Sequence, residues 1–403
     1  MRYEILAPGG ADAQALCGQT TLPPFDPTSL AFVDAVSRRI LSDPSFKRLA
    51  ELAALAFWMR KANIRHLENK FNDKRGDRLW TGRGVVFHIA PANVDTIFVY
   101  SWLVSLLVGN VNIVRVSSHV TEQLQHLIAV INEVAASDEF DKISRRFMIV
   151  RYEHDDEVTA DLSSLCDMRV IWGGDETIRR IRSIPIGPAA VELTFSDKFS
   201  FSVIDAGKFV TSDRKDSVVS DFYNDAFFFE QRACSSPRLV VWLGERNCVA
   251  QARGTFWDLL EETVVQKQRE GVPASAVDKL VTACLVAAKS DGAVTMESTR
   301  SNFVNRLWLE SPRDIDRELH SGRGLFYELQ IGELEELADI ITARDQTISV
   351  FGVEPERIER LIADRRPLGV SRVVPFGQAL NFSAVWDGHD LLRQFCREID
   401  ITL

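Results

Sequence analysis

Between Gly84 and Arg182 the chain repeats one pattern: a short β-branched or aromatic run, a turn of small or polar residues, then a stretch with helical spacing. The first unit reads as strand Gly84 to Ile89, loop Ala90 to Asn93 and an apolar helix to Val108. The second has strand Asn112 to Val116, loop Ser117-Ser118 and a helix from Thr121. A third pairs strand Phe147 to Tyr152 with helix Val158 to Leu165 across the acidic loop His154 to Glu157. A fourth runs from strand Met168 to Trp172 through Gly173-Gly174 into a helix carrying Arg179, Arg180 and Arg182. Strands that alternate with helices in this way specify a doubly wound α/β sheet. Ligands of such sheets bind outside the carboxyl ends of the strands. Those ends include Ala90-Pro91-Ala92-Asn93 and Arg115-Val116-Ser117-Ser118. Gly173 and Gly174 allow backbone to approach a phosphate at a helix N-terminus. The full G-x-G-x-x-G fingerprint is absent, and Asp175 and Glu176 suit a helix start without any ligand.

The second constraining stretch is Asp221 to Leu243, DFYNDAFFFEQRACSSPRLVVWL. It reads as an amphipathic helix, a small-residue turn at Cys234, Ser235, Ser236 and Pro237, and a buried strand from Leu239 to Leu243. Pro237 has a fixed φ and no N–H, so the helix cannot pass through it. A cysteine at such a junction is either a small buried packing residue or a nucleophile with backbone donors beside it.

A chain of 403 residues is too long for one compact core, so two domains and a small appendage are expected. The net charge of -10 argues against a general nucleic-acid or anionic-membrane surface. Six cysteines (Cys17, Cys166, Cys234, Cys248, Cys284, Cys396) form no C-x-x-C pair, which suits free thiols in a reducing compartment. The opening MRYEILAPGG lacks the apolar core of a signal peptide. The run Thr96 to Val108 is shorter than the ~20 residues that span a bilayer, so it is read as a buried helix. The expected location is cytoplasmic.

The remaining segments are less regular. Residues to about Pro27 are turn-rich and are expected to lie over the surface. Phe32, Val33, Val36 and Ile40 mark one helix. LAELAALAFWMRKANIRHLENKF reads as another, with an apolar stripe and a basic, solvated C-terminal half. Ala189 to Asp205 alternates like a strand and crosses toward a second domain. That domain continues with helices Arg246 to Gln266 and Val277 to Lys289, an irregular section Ser290 to Ser311, a helical ELEELADIIT, strand QTISVFG and a helix Pro355 to Asp364.

HIAPANV (His88 to Val94), LLVGNVNIVRVSS (Leu106 to Ser118), Trp172-Gly173-Gly174, FFFEQRACSSPRLVV, QTISVFG and GVSRVVPFGQALNFSAVWDGHDLL together resemble one family. It is the bacterial acyl-CoA reductases of the luminescence type (LuxC family), a branch of the aldehyde dehydrogenase superfamily. The resemblance implies an α/β, aldehyde dehydrogenase-like fold: a Rossmann-like cofactor domain, an α/β catalytic domain bearing the cysteine, and a small oligomerisation arm. The corresponding division is an N-terminal helical segment (1–80), a dinucleotide-binding domain (81–198), a catalytic domain (199–370) and a C-terminal loop and strand (371–403) that returns to the cofactor domain or a subunit interface.

The implied reaction is reduction of a fatty acyl thioester, on CoA or a carrier, to an aldehyde by NADPH. Cys234 matches the family nucleophile, and Asn93 the superfamily asparagine that donates to the developing oxyanion. Pro91, Gly173 and Gly174 fall in the cofactor-binding loops, and Ser117 is a candidate phosphate donor or helix cap. Arg115 stands where many members carry a lysine. Glu192, in VELTFS, aligns with the glutamate that activates water in aldehyde-oxidising relatives, yet Thr194 and Phe195 replace the glycines usual after it. Its other reading is a structural ion pair. His389, in the Trp386-Asp387-Gly388-His389 tail, is a proton donor or a structural residue. No metal site is expected. A homo-oligomer and an acyl-protein synthetase partner are implied by the family. Competing readings are aldehyde oxidation to the acid, a cofactor-free cysteine acyltransferase or thioesterase, and a non-catalytic scaffold.

Overall fold

The computed structural model describes residues 3–44, 46, 49–91, 96–118, 121–267 and 273–402. The chain forms two compact units: Met1–Asp197 with Phe382–Leu403, and Lys198–Asn381. Residues 1–80 are part of the first unit rather than a body of their own, and residues up to Asn381 stay with the second.

The first unit contains β1 (Glu4–Ala7), β2 (Leu79–Gly82), β3 (Val85–Ile89), β4 (Val111–Val116), β5 (Phe147–Arg151), β6 (Met168–Trp172) and β7 (Val191–Phe195). Its sheet has the order β1-β5-β4-β3-β6-β7. All pairs are parallel except β1 against β5. The apolar runs VVFHI and MRVIW are buried throughout, as strands covered by helices on both faces must be. From β3 the chain winds outward through β4 and β5, then restarts on the other side with β6, so the switch point lies between β3 and β6. The apolar helix Ile97–Leu107 is almost wholly buried, and Thr121 caps Glu122–Ala135 by accepting from Leu124 N at 3.1 Å.

Two expectations change. The first residues are mostly exposed or half-buried, but they are not turns alone: β1 closes the sheet edge, and Leu22 N donates to Gly109 O at 2.9 Å. Gly109 has φ +92, and a Cβ there would sit 1.9 Å from Leu22 O, so only glycine admits this crossing. The stretch from Ala50 is two helices, Ala50–Trp58 and Lys61–Arg75, because Asn63 Nδ2 caps Phe57 O at 2.9 Å and ends the first.

His88 is structural. Asn112 Nδ2 donates to Asn110 O, so its Oδ1 faces His88 and accepts from Nε2–H at 3.0 Å; Nδ1 then accepts from Ser101 Oγ (2.9 Å), which in turn accepts from Trp172 Nε1 (3.3 Å). Burial pushes this imidazole down to about 4. The unfolded chain binds a proton near pH ~6.5 that the folded ring refuses, so this contribution is full above that pH and fades as pH falls toward 4. We expect His88 to account for a loss of roughly 2 kcal/mol in unfolding free energy between pH 7 and 5. Urea titrations of wild type and His88→Gln check this; equal pH slopes would contradict it.

The second unit contains β8 (Phe199–Asp205), β9 (Pro237–Leu243), β10 (Val294–Ser298), β11 (Asn305–Leu309), β12 (Leu325–Ile331), β13 (Asp345–Phe351) and β14 (Arg372–Pro375). The order is β10-β11-β12-β9-β8-β13-β14, and among these strands the β10–β11 pair is the antiparallel one. One face is covered by helices Lys215–Phe227 and Arg246–Lys267, the other by Pro273–Lys289 and Pro355–Arg365. Ala189 to Asp205 is thus two strands, the last of one sheet and the first of the next. The section Ser290 to Ser311 is a hairpin rather than irregular, and β12 was not anticipated. ELEELADIIT contributes a 3-10 turn and one helical turn, Leu337–Ile340.

From Phe382 the chain rejoins the first unit as β15 (Val385–Trp386), β16 (His389–Asp390) and β17 (Cys396–Ile399). Trp386-Asp387-Gly388-His389 is a two-residue hairpin with Asp387 at φ +47 and Gly388 at φ +78, the pairing a type I′ turn demands. β17 then pairs antiparallel with β2. Among the described residues no helix is long and apolar enough to cross a membrane.

Candidate active site

Helix Lys215–Phe227 ends in a strained turn, with Glu230 at φ +50 and Gln231 at φ +57. The buried Gln231 side chain holds that turn. Its Nε2 donates to Pro237 O (3.0 Å) and Leu325 O (3.1 Å), while Oε1 accepts from Gly324 N (2.6 Å). Ser236 N closes the next turn onto Ala233 O at 3.1 Å, and Pro237 starts β9. Cys234, half-buried, hangs between these two fixed points.

The amino ends of β8 and β13 fix its peptide. Ser200 Oγ donates to Cys234 O at 2.7 Å and accepts from Thr347 N at 3.1 Å. Beside it, buried Gln346 donates from Nε2 to Cys234 Sγ at 3.4 Å. The Thr347 hydroxyl donates to Gln346 Oε1 at 3.4 Å, which keeps the amide NH2 turned to the sulfur. Arg372 lies opposite Thr347 on β14. Burial lowers its pKa, and the charges of Cys234 and Asp225 oppose that fall. Asp225 accepts from Gly377 N (2.8 Å) and Ala379 N (2.9 Å), and burial pushes its carboxyl up to about 7. Gln346, Ser200 and Gln231 carried no individual signal in the sequence; Gln346 opens the QTISVFG motif, which was the one available hint.

In the first unit, Ile89 lies opposite Arg115 on β4 and Ile171 on β6, and Ala90 N donates to Arg115 O at 3.0 Å. Pro91 therefore follows β3 and Gly173 follows β6, the two strands at the switch point, while Arg115 is near the end of the neighbouring β4 with Ser117 two residues beyond it. Asn93 lies outside the described residues. Arg115 donates from Nη2 to Tyr152 O at 3.3 Å and faces the Tyr152 ring at 5.2 Å, while its buried Nε has no partner among the described residues. Burial lowers its pKa, and nearby Arg180 adds to the fall. Gly173 N donates to Phe195 O at 3.1 Å. Gly174 begins a helix whose first turn holds Asp175 and Glu176, and a Cβ there would come within 3.0 Å of Asp197 Oδ2.

Glu192 is elsewhere. It sits opposite Arg169 in the amino half of β7, away from the strand ends that form the crevice. Buried Arg169 donates to its Oε2 from Nε at 2.8 Å and also from Nη2, and Arg182 meets Oε1 at 3.0 Å. Both oxygens of this carboxylate are thus held by guanidiniums. His389 packs edge-on against Phe195, with ring centroids 6.0 Å apart. No cluster of His, Cys, Asp or Glu suited to a metal occurs among the described residues.

The fold is that of solved aldehyde dehydrogenases. A lactaldehyde dehydrogenase superposes with TM-score 0.66 over 96% of this chain and 89% of its own, at 11% identity. An NAD-dependent aldehyde dehydrogenase from Sinorhizobium meliloti gives 0.65 over 92% and 81%, at 13% identity. Proline utilization A from Bradyrhizobium japonicum gives 0.66 over 96% of this chain at 15% identity, but only 44% of that protein is covered. The chain thus spans less than half the length of that relative. Such identities establish the fold alone. No curated protein matches the sequence. Residues 63–398 match the family described as Acyl-CoA reductase (LuxC). That match takes in the second sheet, all of the first but β1, and the cysteine turn, and the chain belongs to the LuxC acyl-CoA reductase family.

Proposed function

We propose that this chain reduces an acyl thioester, delivered on CoA or a carrier, to the aldehyde with NADPH through an acyl group held on Cys234. The observation that carries the reading is the Cys234 turn, fixed by Ser200 and Gln231 with an amide donor on its sulfur. The Cys234 thiolate adds to the thioester carbonyl, and collapse of the adduct expels the CoA thiolate and leaves an enzyme thioester. Exchange between thioesters is nearly balanced, so neither partner traps the acyl group. A bound reduced nicotinamide supplies the hydride. The resulting thiohemiacetal on Cys234 loses its hydroxyl proton and collapses to free aldehyde and the Cys234 thiolate. Asn93 is the proposed oxyanion donor; loss of one such donor typically costs ~3 kcal/mol of transition-state stabilisation.

For the nucleotide, the unpartnered Nε of Arg115 at the switch-point crevice, with Arg180 nearby, fits a phosphate group, and Ser117 and Pro91 border the same strand ends. The carboxylates around Gly174 suit sugar hydroxyls better than a phosphate. Glu192 is read as a structural anchor. Without it as a base, the acyl-enzyme is spared hydrolysis, which favours reduction over aldehyde oxidation or thioester hydrolysis. A homo-oligomer and an acyl-protein synthetase that supplies the acyl group complete the proposed setting.

The test is to mix the chain with NADPH and a medium- or long-chain acyl-CoA. Loss of nicotinamide absorbance in step with CoA release and aldehyde formation is expected. CoA release without nucleotide consumption would overturn the reading.

A further inference from the structure

The thiol of a free cysteine is mostly protonated at neutral pH, with a pKa near ~8.5. A cysteine that attacks carbonyls at neutral pH needs neighbours that favour the anion. We propose that Gln346 and Arg372 together hold Cys234 as a thiolate, Gln346 as the donor that touches and aims the sulfur and Arg372 as the fixed positive charge beside it. The assignment rests on the acyl-transfer reading of Cys234, and it names the groups that make that reading work at neutral pH.

A hydrogen bond carries the Gln346 half, and the β13–β14 register sets Arg372 opposite the residue next to Gln346. Gln346 is almost fully buried as the second residue of β13, and its Nε2–H points at Sγ across 3.4 Å. On the other side of the amide, the Thr347 hydroxyl donates to Oε1 at 3.4 Å. Its backbone is also held, since Ser371 N donates to Gln346 O at 2.8 Å. That contact joins β13 to the residue before Arg372. Arg372 itself is half-buried, donates to Gln378 O (3.3 Å) and Ala379 O (3.4 Å), and interacts electrostatically with Cys234. Neutral carbonyls orient a guanidinium without cancelling its charge.

The other charges around the turn are engaged elsewhere. Asp225, on helix Lys215–Phe227, also interacts with Arg372; it accepts from the Gly377 and Ala379 amides, and burial raises its carboxyl to about 7, so it is only partly ionised near neutrality. Asp221 is on the same helix and adds to that effect. Glu230 and Arg232 in the turn pair with each other at 3.5 Å, and Arg238 on β9 donates to Gln231 O at 3.5 Å. Lys198, before β8, donates to Ala343 O at 3.1 Å. Asp345 on β13 is paired with Arg317 at 2.9 Å. Arg372 interacts electrostatically with both Asp225 and Cys234.

The test reads the sulfur itself. Full-length protein is treated with iodoacetamide across a pH series, and alkylation of the Cys234 peptide is followed by mass spectrometry. Gln346→Leu and Arg372→Gln are each expected to slow alkylation at neutral pH by about 10-fold, a one-unit rise in the thiol pKa, with rates converging at high pH where every variant is ionised. Arg372→Lys, which restores a charge, is expected to recover most of the loss. A neutral-pH rate within twofold of wild type in both Gln346→Leu and Arg372→Gln would overturn the proposal. So would a slowing that is equal at all pH values, since that reports access and not ionisation. If Arg372→Gln fails to fold, Gln346→Leu and Arg372→Lys still decide the matter. Alkylation is independent of turnover: altered titration without acyl-CoA-dependent NADPH loss rejects the reductase reading and keeps this one, and the converse result does the opposite.

Discussion

Cys234→Ser is expected to lower acyl-CoA-dependent NADPH oxidation by about a thousandfold or more. The fold should survive, because the contacts that fix this position are to its backbone: Ser200 Oγ on Cys234 O, and the turns at Gln231 and Ser236 on either side. The loss is chemical. A serine hydroxyl is almost never ionised at neutral pH, and its ester resists hydride addition and expulsion far more than a thioester does. Labelled acyl-CoA offered without nucleotide should leave an acyl group on the wild-type Cys234 peptide, removable by hydroxylamine, and none on the variant. Replacement of Cys284, which is exposed on helix Pro273–Lys289, should change neither result. A serine variant within tenfold of wild-type turnover would remove the acyl-enzyme, and with it the mechanism.

What the sequence shows depends on how far away a residue's partners are. β3, β4, β5 and β6 are legible because each is an apolar run bounded by its own turn, and the observed ends fall within a residue or so of those read from the pattern. The cysteine turn is legible for a similar reason: Pro237 stops the helix locally. The first residues are not legible, because the strand partner of Glu4 is Arg151 and nothing near Glu4 announces it. Glu192 reads as a base only through its alignment with the superfamily glutamate, against the Thr194 and Phe195 that follow it. Only the β6–β7 register, with Arg169 opposite, reveals an ion pair. Gln346 is separated from Cys234 by 112 positions, so its hydrogen bond to the sulfur exists only once β8 and β13 lie side by side. β12 is the largest omission. Its run LFYELQI carries a glutamate in the middle of what must be a buried strand, and a lone charge there argues against burial unless its partners are known.

Those partners make Glu328 the position where one atom's change should cost the second unit most stability. The side chain is inaccessible to solvent at the centre of β12. Its Oε2 accepts from Trp242 Nε1, Trp257 Nε1 and Arg253 Nε, each at 2.8 Å, and Oε1 accepts from Arg253 Nη2 at 2.7 Å. One carboxylate thus satisfies two buried indoles and a guanidinium, tying β12 and β9 to helix Arg246–Lys267. Glu328→Gln keeps the shape but presents an amide NH2 to a cluster made only of donors, and leaves Arg253 with only the more exposed Glu297, at 3.6 Å, as counter-charge. Removing one partner of a buried ion pair costs about 3–5 kcal/mol, and we expect that loss in the urea unfolding of Glu328→Gln. Arg253→Ala should cost a similar amount, for the mirrored reason. Replacing both together, Glu328→Leu with Arg253→Met, should recover much of it, because no uncompensated charge is then buried, although the two indole N–H groups still lose their acceptor. Single variants that cost under about 1 kcal/mol would mean that water reaches this cluster, and a double variant as unstable as the sum of the singles would mean that the indoles, not the charge pair, dominate it.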